Sequence, residues 1–274
     1  MLIYKPTYFI DLDGTLFDQR GFVRVSARNQ IAILIMHNFA NVVVSTGRSY
    51  NDYRVKQVRK LLKVEDFICS SGAEVYINNE LVSFTTFKID TINNLVNFAK
   101  KNKVSFVVYD THGEHLFVKS SYSRVLAKLF VNKWMKSIAL VNDFDIDMFD
   151  SITKISFIFK SPFSAKRTLK KLEQELGHDV YGSLSSQNYV IEITDINTNK
   201  AKAAIEYARI KGIDLTNSVH IGDSMSDACM KGVVGKLVAM SNSPKELKEL
   251  AHEVAPRNKG GGIYKYLIQH KSKK

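Results

Sequence analysis

Three short apolar runs that each stop at a polar turn constrain the fold of this chain more than any other feature. They cover residues 8–12, 42–44 and 218–221, and the sequences that end them are DG at 13–14, STGR at 45–48 and GD at 222–223. Similar runs at 67–69 and 236–240 and helical spacing at 26–39, 201–210 and 245–254 complete the pattern. Apolar strands separated by helices indicate a parallel sheet that is covered on both faces.

The middle of the chain has a different order of elements. Strand-like runs at 84–87, 104–109, 114–118, 154–159, 180–184 and 189–193 alternate with predicted helices at 90–101, 122–136 and 163–176. Pairs of strands with single helices are typical of an α+β unit with its own sheet. The sequence therefore predicts an α/β fold: a Rossmann-like, doubly wound parallel sheet from residues 1–83 and 190–274, interrupted by an α+β insert at 84–189.

Composition limits the classes of partner. The chain of 274 residues carries 39 Lys+Arg against 27 Asp+Glu, a formal charge of +12, which favours anionic ligands in general. The basic residues are scattered, apart from a small group at Lys271, Lys273 and Lys274 that we interpret as a solvated tail. Nucleic-acid binding would show a basic stripe or a known module. We expect no nucleic-acid partner, and either a monomer or a dimer.

The sequence also predicts a location for the protein. It contains no run of about 18 apolar residues, which a membrane-spanning helix needs, and its first residues lack the apolar core of a signal peptide. Cys69 and Cys229 are too few for a disulfide framework. We therefore expect a cytoplasmic protein with reduced thiols and no membrane contact.

Carboxylates at the ends of the predicted strands indicate chemistry. Asp11 and Asp13 follow the first strand, and Asp223 and Asp227 follow a later one. Strand carboxyl ends in a doubly wound sheet are where ligands bind. Paired carboxylates form an oxygen-rich site that suits Mg²⁺ and phosphate, and a carboxylate can be the nucleophile of phosphoryl transfer.

Four ordered motifs carry a family resemblance: DLDGT at 11–15, STGR at 45–48, a lysine at 200 and GDSMSD at 222–227. Together they resemble the haloacid dehalogenase superfamily. More narrowly, the chain is similar to the Cof-type phosphatases, in which a large α/β cap follows the second motif. The segments AMSNSPKELKELA at 239–251 and GGGI at 260–263 also resemble the end of that subfamily.

This resemblance implies a Mg²⁺-dependent phosphatase that acts on a small-molecule phosphate monoester through an aspartyl-phosphate. It implies that Asp11 is the nucleophile and Asp13 the acid/base. The implied metal ligands are Asp11, Asp223 and the backbone carbonyl of Asp13. The implied phosphate-binding groups are Leu12, Thr46, Gly47, Lys200 and Ser226, with Asp227, Arg48 and Asn242 in support. It also implies that the insert is a cap that closes over the site and selects the substrate.

Two positions depart from the subfamily pattern, because Ser226 and Ser71 stand where it usually has asparagine. Neither change removes a charge, so we expect activity to survive. Two alternatives stay open: a catalytically weak protein that binds a phosphorylated metabolite, and a phosphosugar mutase. Sugar phosphates are the substrate class that the resemblance favours, with pyridoxal phosphate and flavin mononucleotide also open.

Other polar groups carry weaker signals. Lys202 competes with Lys200 for the lysine role, and we favour Lys200 from its motif position. Lys119 and Arg124 could contact substrate, but solvated surface is the simpler interpretation. His112, Glu114 and His115 have short, irregular spacing, which favours hairpin polarity over metal binding. An apolar stripe with helical spacing is interpreted as a packing face and comprises Val125, Leu126, Leu129, Phe130 and Trp134.

Overall fold

A computed structural model describes residues 5–21, 23–110, 113–130 and 135–271. The strands are β1 (Thr7–Ile10), β2 (Asn41–Ser45), β3 (Asp66–Cys69), β4 (Glu74–Ile77), β5 (Glu80–Phe84), β6 (Ser105–Asp110), β7 (Glu114–Val118), β8 (Ser137–Leu140), β9 (Ile152–Ile158), β10 (Val180–Ser185), β11 (Val190–Asp195), β12 (Val219–Gly222), β13 (Lys236–Met240) and β14 (Glu253–Ala255). The helices are α1 (Ala27–Met36), α2 (Tyr53–Leu62), α3 (Ile89–Lys101), α4 (Ser121–Phe130), α5 (Pro162–Leu176), α6 (Lys200–Lys211), α7 (Lys245–Leu250) and α8 (Gly262–Lys271).

The chain divides into two compact units. One, here called the core unit, comprises Met1–Ser83 and Lys200–Lys274, and the other, the insert unit, comprises Phe84–Asn199. The prediction assigned residues 190–199 to the core, and the structure corrects this. The strand β11 pairs with both β10 and β9, so its backbone hydrogen bonds belong to the sheet of the insert unit.

An eight-stranded sheet forms the core unit, in the order β14-β13-β12-β1-β2-β3-β4-β5. Neighbours from β14 to β3 pair in parallel, and β4 joins β3 in the antiparallel sense. The first strand therefore lies between β2 and β12, and the chain winds away from it in both directions. That position is the topological switch point, where ligands bind in doubly wound folds.

Alternating side chains of the central strands bury into two separate layers. Ile10 and Val44 pack on the side of α1, α2 and α8, whereas Phe9 and Val43 pack on the side of α6 and α7. Successive residues of a strand face opposite ways, which explains why these strands are apolar throughout. The predicted doubly wound parallel-sheet core with helices on both faces is confirmed.

Polar side chains start two of these helices. Ser26 accepts a hydrogen bond from the amide of Asn29 at the start of α1, and Asp52 accepts one from the amide of Arg54 at the start of α2. Such caps satisfy amides that the first helical turn leaves without partners. The cap of α2 places Asp52 close to the loop that follows β2.

A second sheet of six strands forms the insert unit, in the order β10-β11-β9-β6-β7-β8. Its strands pair in the antiparallel sense except β7 with β8. Buried aromatic residues fill the unit, and the rings of Phe98 and Phe157 stack at a centroid distance of 5.9 Å. The predicted α+β character of the insert agrees with this arrangement.

Several predicted element bounds differ from the structure. The sequence interpretation missed β4 and β8, and it placed a strand at 84–87 where β5 has already ended at Phe84. It also extended the helix at 245–254 too far, because α7 ends at Leu250 and β14 pairs with β13. The pairing of edge strands depends on contacts between residues that are far apart in sequence, so the local hydrophobic pattern does not reveal these strands. Of the predicted packing stripe, Val125 is 59% exposed and does not pack, whereas the side chains of Leu126, Leu129, Phe130 and Trp134 lie outside the described part of the chain.

Candidate active site

The ends of three parallel strands bring the predicted carboxylates and the threonine loop to one edge of the core sheet. Asp11 follows β1, Thr46 follows β2 and Asp223 follows β12. The amide of Asp11 donates to the carbonyl of Ile221 at 2.9 Å, which continues the ladder between β1 and β12 by one residue. Because both strands end at the same height, their next residues become neighbours.

Asp11, Asp223 and Asp227 form the one set of three candidate metal-binding side chains among the described residues. One potential ligand atom from each lies within 4.8 Å of the others. All three side chains offer carboxylate oxygens, the donor type that Mg²⁺ prefers. The chemistry of this donor set fits a hard divalent cation.

Lys200 lies between two of these carboxylates. Its Nζ donates to Oδ1 of Asp11 at 2.8 Å and to Oδ1 of Asp227 at 2.7 Å. The lysine side chain is 2% exposed, and those of Asp11 and Asp227 are 8% and 0% exposed. A buried charge needs compensating partners, so the ammonium group and the carboxylates depend on one another. The competing residue, Lys202, is exposed.

Burial and charge shift the pKa values of this cluster in opposite directions. Burial raises the pKa of Asp11 well above its usual value, against the lowering effect of Lys200. Burial and the negative charge of Asp227 raise the pKa of Asp223 to about 7. Burial alone would raise the pKa of Asp227, but Lys200 and His220 outweigh it and lower that pKa. Burial opposes the charged form of Lys200, yet Asp11 and Asp227 together raise its pKa. The shifts of Asp227 and Lys200 therefore favour the ionised form of each side chain.

Asp13 lies in a more exposed environment than Asp11. Its side chain is 49% exposed, and it accepts two hydrogen bonds from Arg48, from Nε and Nη2, both at 2.6 Å. The third guanidinium nitrogen, Nη1, donates to Asp52 at 3.0 Å. Although burial opposes the charged form of Arg48, the carboxylates of Asp13 and Asp52 raise its pKa. This ion pair joins the loops after β1 and β2.

Gly14 allows the loop after β1 to approach Asp223 closely. It has a φ of +78°, and a Cβ on this residue would lie 2.0 Å from Oδ2 of Asp223, so the position requires glycine. The side-chain amide of Asn242 donates to the Gly14 carbonyl at 2.9 Å and to Oδ2 of Asp223 at 3.2 Å. Asn242, predicted as a supporting residue, therefore joins the DLDGT loop to the Asp223 turn.

The loop after β2 is built around Thr46, which is 1% exposed. Its hydroxyl accepts a hydrogen bond from the amide of Arg48 at 3.2 Å, and its carbonyl accepts one from the amide of Ser71 at 3.1 Å. Ser71 has a φ of +59°, a left-handed conformation in which asparagine is also well tolerated.

Ser226 contacts Ser224 in the turn after β12. Their hydroxyl groups lie 2.7 Å apart, and Ser226 is 6% exposed. Leu12 and Gly47, the predicted sources of phosphate-binding amides, lie in the same loops as Asp11 and Thr46. The structure thus brings the predicted site residues of the core unit to one edge of the sheet.

His220 is a member of the buried cluster that the sequence interpretation missed. Its Nε2 lies 2.8 Å from Oδ1 of Asp227, and the residue is 0% exposed. Burial lowers the pKa of this imidazole. A histidine between Val219 and Ile221 in an otherwise apolar strand was the available signal.

The weaker predicted sites lie in the insert unit. Lys119 is exposed and Arg124 is partly exposed. His115 contacts Ser137 at 2.9 Å and Asp110 at 3.3 Å, whereas His112 lies outside the described residues. Nothing in these contacts indicates a metal site at His115. Among the described helices, none has the length and apolarity needed to cross a membrane.

Carboxylates at the switch point of a doubly wound sheet place a ligand site at that edge, and comparison with known proteins identifies the family. The chain belongs to the haloacid dehalogenase-like hydrolases, whose family model matches residues 8–267. This match confirms the resemblance that the four motifs indicated. The chain is a phosphatase of this family, as the names of its relatives also indicate.

Individual relatives match over nearly their whole length. A putative phosphatase of Mycoplasma pneumoniae is 28% identical over 260 residues, which cover 90% of this chain and 91% of that protein. The Bacillus subtilis protein YwtE, named 5-amino-6-(5-phospho-D-ribitylamino)uracil phosphatase, is 25% identical over 279 residues, with coverages of 95% and 96%. A solved haloacid dehalogenase-like hydrolase from B. subtilis has a TM-score of 0.79 at 21% identity and covers 96% of this chain and 99% of its own.

Proposed function

We propose that this phosphatase hydrolyses small-molecule phosphate monoesters with the aid of Mg²⁺, and that Asp11 is its nucleophile. The observation that carries the proposal is the position of Asp11. Its carboxylate is buried at the end of β1, 2.8 Å from the ammonium group of Lys200. One of its oxygens also lies within 4.8 Å of a carboxylate oxygen of Asp223. A nucleophile beside a fixed positive charge is what phosphoryl transfer requires.

Mg²⁺ would be held by the carboxylates of Asp11 and Asp223 and by the backbone carbonyl of Asp13. When bound, the ion supplies positive charge that favours ionised carboxylates and neutralises phosphoryl oxygens. Asp227 is the less suitable ligand of the acidic set, because both of its oxygens already accept hydrogen bonds from protein groups. We assign it the role of support for Lys200 and for the Asp223 turn.

The proposed reaction has two displacements at phosphorus. A carboxylate oxygen of Asp11 attacks the phosphorus, the bond to the ester oxygen breaks, and that oxygen takes the proton of the Asp13 carboxyl group. Asp13 then removes a proton from water, the water oxygen attacks the phosphorus, and the bond to Asp11 breaks to release inorganic phosphate. Lys200 and the loops of Leu12, Thr46, Gly47 and Ser226 would bind the phosphoryl oxygens.

Asp13 is suited to the acid/base role because it is the more accessible carboxylate of the DLDGT loop. A general acid must reach the leaving oxygen and then a water molecule. The side chain is half exposed and held by Arg48, which we interpret as a positioning partner that keeps Asp13 directed while substrate is absent.

A named relative and the charge of the chain support the substrate class. YwtE is named for a phosphate ester of a ribityl chain, and this chain has an excess of positive charge. We infer a small, hydroxyl-rich phosphate monoester, such as a sugar or polyol phosphate. We also infer that the insert unit has the role of a cap that selects the organic part of the substrate.

The test is the release of inorganic phosphate from p-nitrophenyl phosphate and from a panel of sugar and polyol phosphates, with and without Mg²⁺. Asp11→Asn should lose at least about 10³-fold in kcat, because the activated nucleophile is gone. The matched control is Asp66→Asn, which neutralises another buried aspartate at the start of β3. This strand is separated from β1 by β2, and Asp66 lies at its opposite end from the site. Turnover retained in Asp11→Asn would refute the assigned nucleophile.

Two other results would redirect the proposal. Ser226 has its hydroxyl turned to Ser224, which favours a weakly catalytic, metabolite-binding protein as the second candidate function. Calorimetric binding of a sugar phosphate without turnover by the natural chain would support that candidate. Appearance of the phosphoryl group on a second sugar hydroxyl, detected by product analysis, would identify a mutase.

A further inference from the structure

His220 is a polar residue in the middle of an apolar layer. It lies in β12, pairs in register with Phe9 of β1 and Leu237 of β13, and all three side chains are fully buried. Burying an imidazole among such neighbours costs free energy unless hydrogen bonds compensate for it. Among the described residues, only Asp227 bonds the ring, and Nδ1 has no hydrogen-bond partner. The contact with Asp227 must therefore account for the placement of this histidine.

Asp227 is held on both carboxylate oxygens. Oδ1 accepts from Nζ of Lys200 at 2.7 Å and from Nε2 of His220 at 2.8 Å. Oδ2 accepts from the amide of Asp223 at 3.1 Å, and from the amide and the hydroxyl of Ser224 at 3.0 Å and 3.3 Å. A carboxylate has about four lone-pair positions, so these five donors leave it no free acceptor position. Asp227 thus connects the lysine of the cluster to the turn that carries Asp223.

We propose that His220 is a positioning residue that fixes the orientation of the Asp227 carboxylate, and through it both Lys200 and the Asp223 turn. The inference rests on the proposed function, since it concerns the same site. His220 touches neither Asp11 nor the space for substrate in any contact that the structure records, so its effect on the reaction is indirect. The ring must carry its proton on Nε2 to donate to the carboxylate.

The shared acceptor has an electrostatic consequence for Lys200. Without His220, Oδ1 of Asp227 would accept from Lys200 alone, and the ammonium group would be free to shift towards that oxygen. With the imidazole N–H on the same oxygen, Lys200 stays between Asp227 and Asp11, 2.7 Å and 2.8 Å from their oxygens. Lys200 therefore stays where its charge acts on Asp11. Outer-shell partners that orient the ligand groups of a metal site commonly affect activity by about 10–100-fold.

The experiment compares His220→Leu, which removes the donor at similar volume, with His220→Gln, which keeps an N–H donor. In the same assay, His220→Leu should lower kcat by about 10–100-fold with little change in KM, and His220→Gln should recover most of that loss. The control Leu237→Ala perturbs the neighbouring position of the same layer without touching Asp227. It should lower the melting temperature but not kcat.

A second readout does not depend on turnover. The amides of Asp223 and Ser224 donate to Asp227, so their hydrogen exchange, followed by NMR, should accelerate in His220→Leu and stay slow in His220→Gln and Leu237→Ala. Two results would overturn the proposal: a glutamine variant as slow as the leucine variant at equal melting temperature, or unchanged exchange at both amides in His220→Leu. If the natural chain shows no turnover, that result counts against the proposed function. The hydrogen-exchange data would still decide the role of His220.

Discussion

Two groups of charges lie at the same edge of the core sheet, and they differ in their contact with water. The buried group contains Lys200 between Asp11 and Asp227, with side chains at most 8% exposed. The outer group contains Arg48 between Asp13 and Asp52, and Asp13 is 49% exposed. Both groups place one cation between two carboxylates. Arg48 and Asp52 are only 16% and 6% exposed, so the exposure of Asp13 is what distinguishes the two groups.

The difference shows which charges are fixed and which can exchange partners. Removing one member of a buried pair leaves an uncompensated charge, which costs about 3–5 kcal/mol, so the buried group keeps its geometry. The ion pair of Asp13 with Arg48 is bidentate but half exposed on the Asp13 side, so solvent screening keeps its contribution below that of a buried pair. Asp13 can therefore leave Arg48 at a lower cost than Asp11 can leave Lys200. A fixed nucleophile beside an exchangeable acid/base fits the proposed two-step reaction.

The largest effect should come from breaking the buried group. Lys200→Met leaves Asp11 and Asp227 without their shared cation, so we expect a loss of about 3–5 kcal/mol in the free energy of unfolding. We also expect kcat to fall at least about 10³-fold because the charge near the phosphoryl group is lost. Urea unfolding and steady-state kinetics measure both effects. Lys202→Met, on the exposed side of the same helix, should change neither, and equal stability of the two variants would contradict the comparison.

Asp13→Asn should separate activity from stability. The variant cannot transfer a proton, so kcat should fall by about 10²–10³-fold, while the free energy of unfolding should change by no more than about 1 kcal/mol. The same pair of measurements applies. A stability loss as large as that of Lys200→Met would show that the outer group is as rigid as the buried one. Asp90→Asn, an exposed aspartate of the insert unit, is the control.

The smallest effect concerns the pH dependence of stability. Burial opposes the charge of Asp52, but Arg54 and Arg48 outweigh it and lower its pKa. The unfolded chain thus binds this proton at a higher pH than the folded one. The resulting stability is present above about pH 4, the usual pKa of aspartate, and is lost as pH falls towards the folded-state pKa.

Asp52→Asn removes this titration and keeps a side chain that can cap α2. At pH 7 we expect a loss of about 1–2 kcal/mol in the free energy of unfolding. Below pH 4, the difference between the variant and the natural chain should shrink. Thermal unfolding between pH 3 and pH 7, with Asp90→Asn as the control, measures it. A constant difference across that range would show that Asp52 has no perturbed pKa.

The sequence predicted the strands of the core that carry the site, because each is apolar, short and ended by a polar turn. It did not reveal the antiparallel edge at β4 or the assignment of β11 to the insert sheet. Strand pairing joins residues that are far apart in sequence, and local hydrophobicity does not specify the partner. The contact of His220 with Asp227 could not be predicted for a related reason, because only the folded chain brings the two side chains together through the turn after β12.

The sequence by itself determined the kinds of groups at this site. Four ordered motifs identify Asp11, Asp13, Lys200 and Asp223 as site residues. The alternation of strands and helices places Asp11 and Asp223 at the switch point of the sheet. Only the tertiary structure decided which charges water can reach. Burial is a property of the packed neighbours, so only the fold could make Asp11 a fixed group held by Lys200 and leave Asp13, two residues away, half exposed beside Arg48.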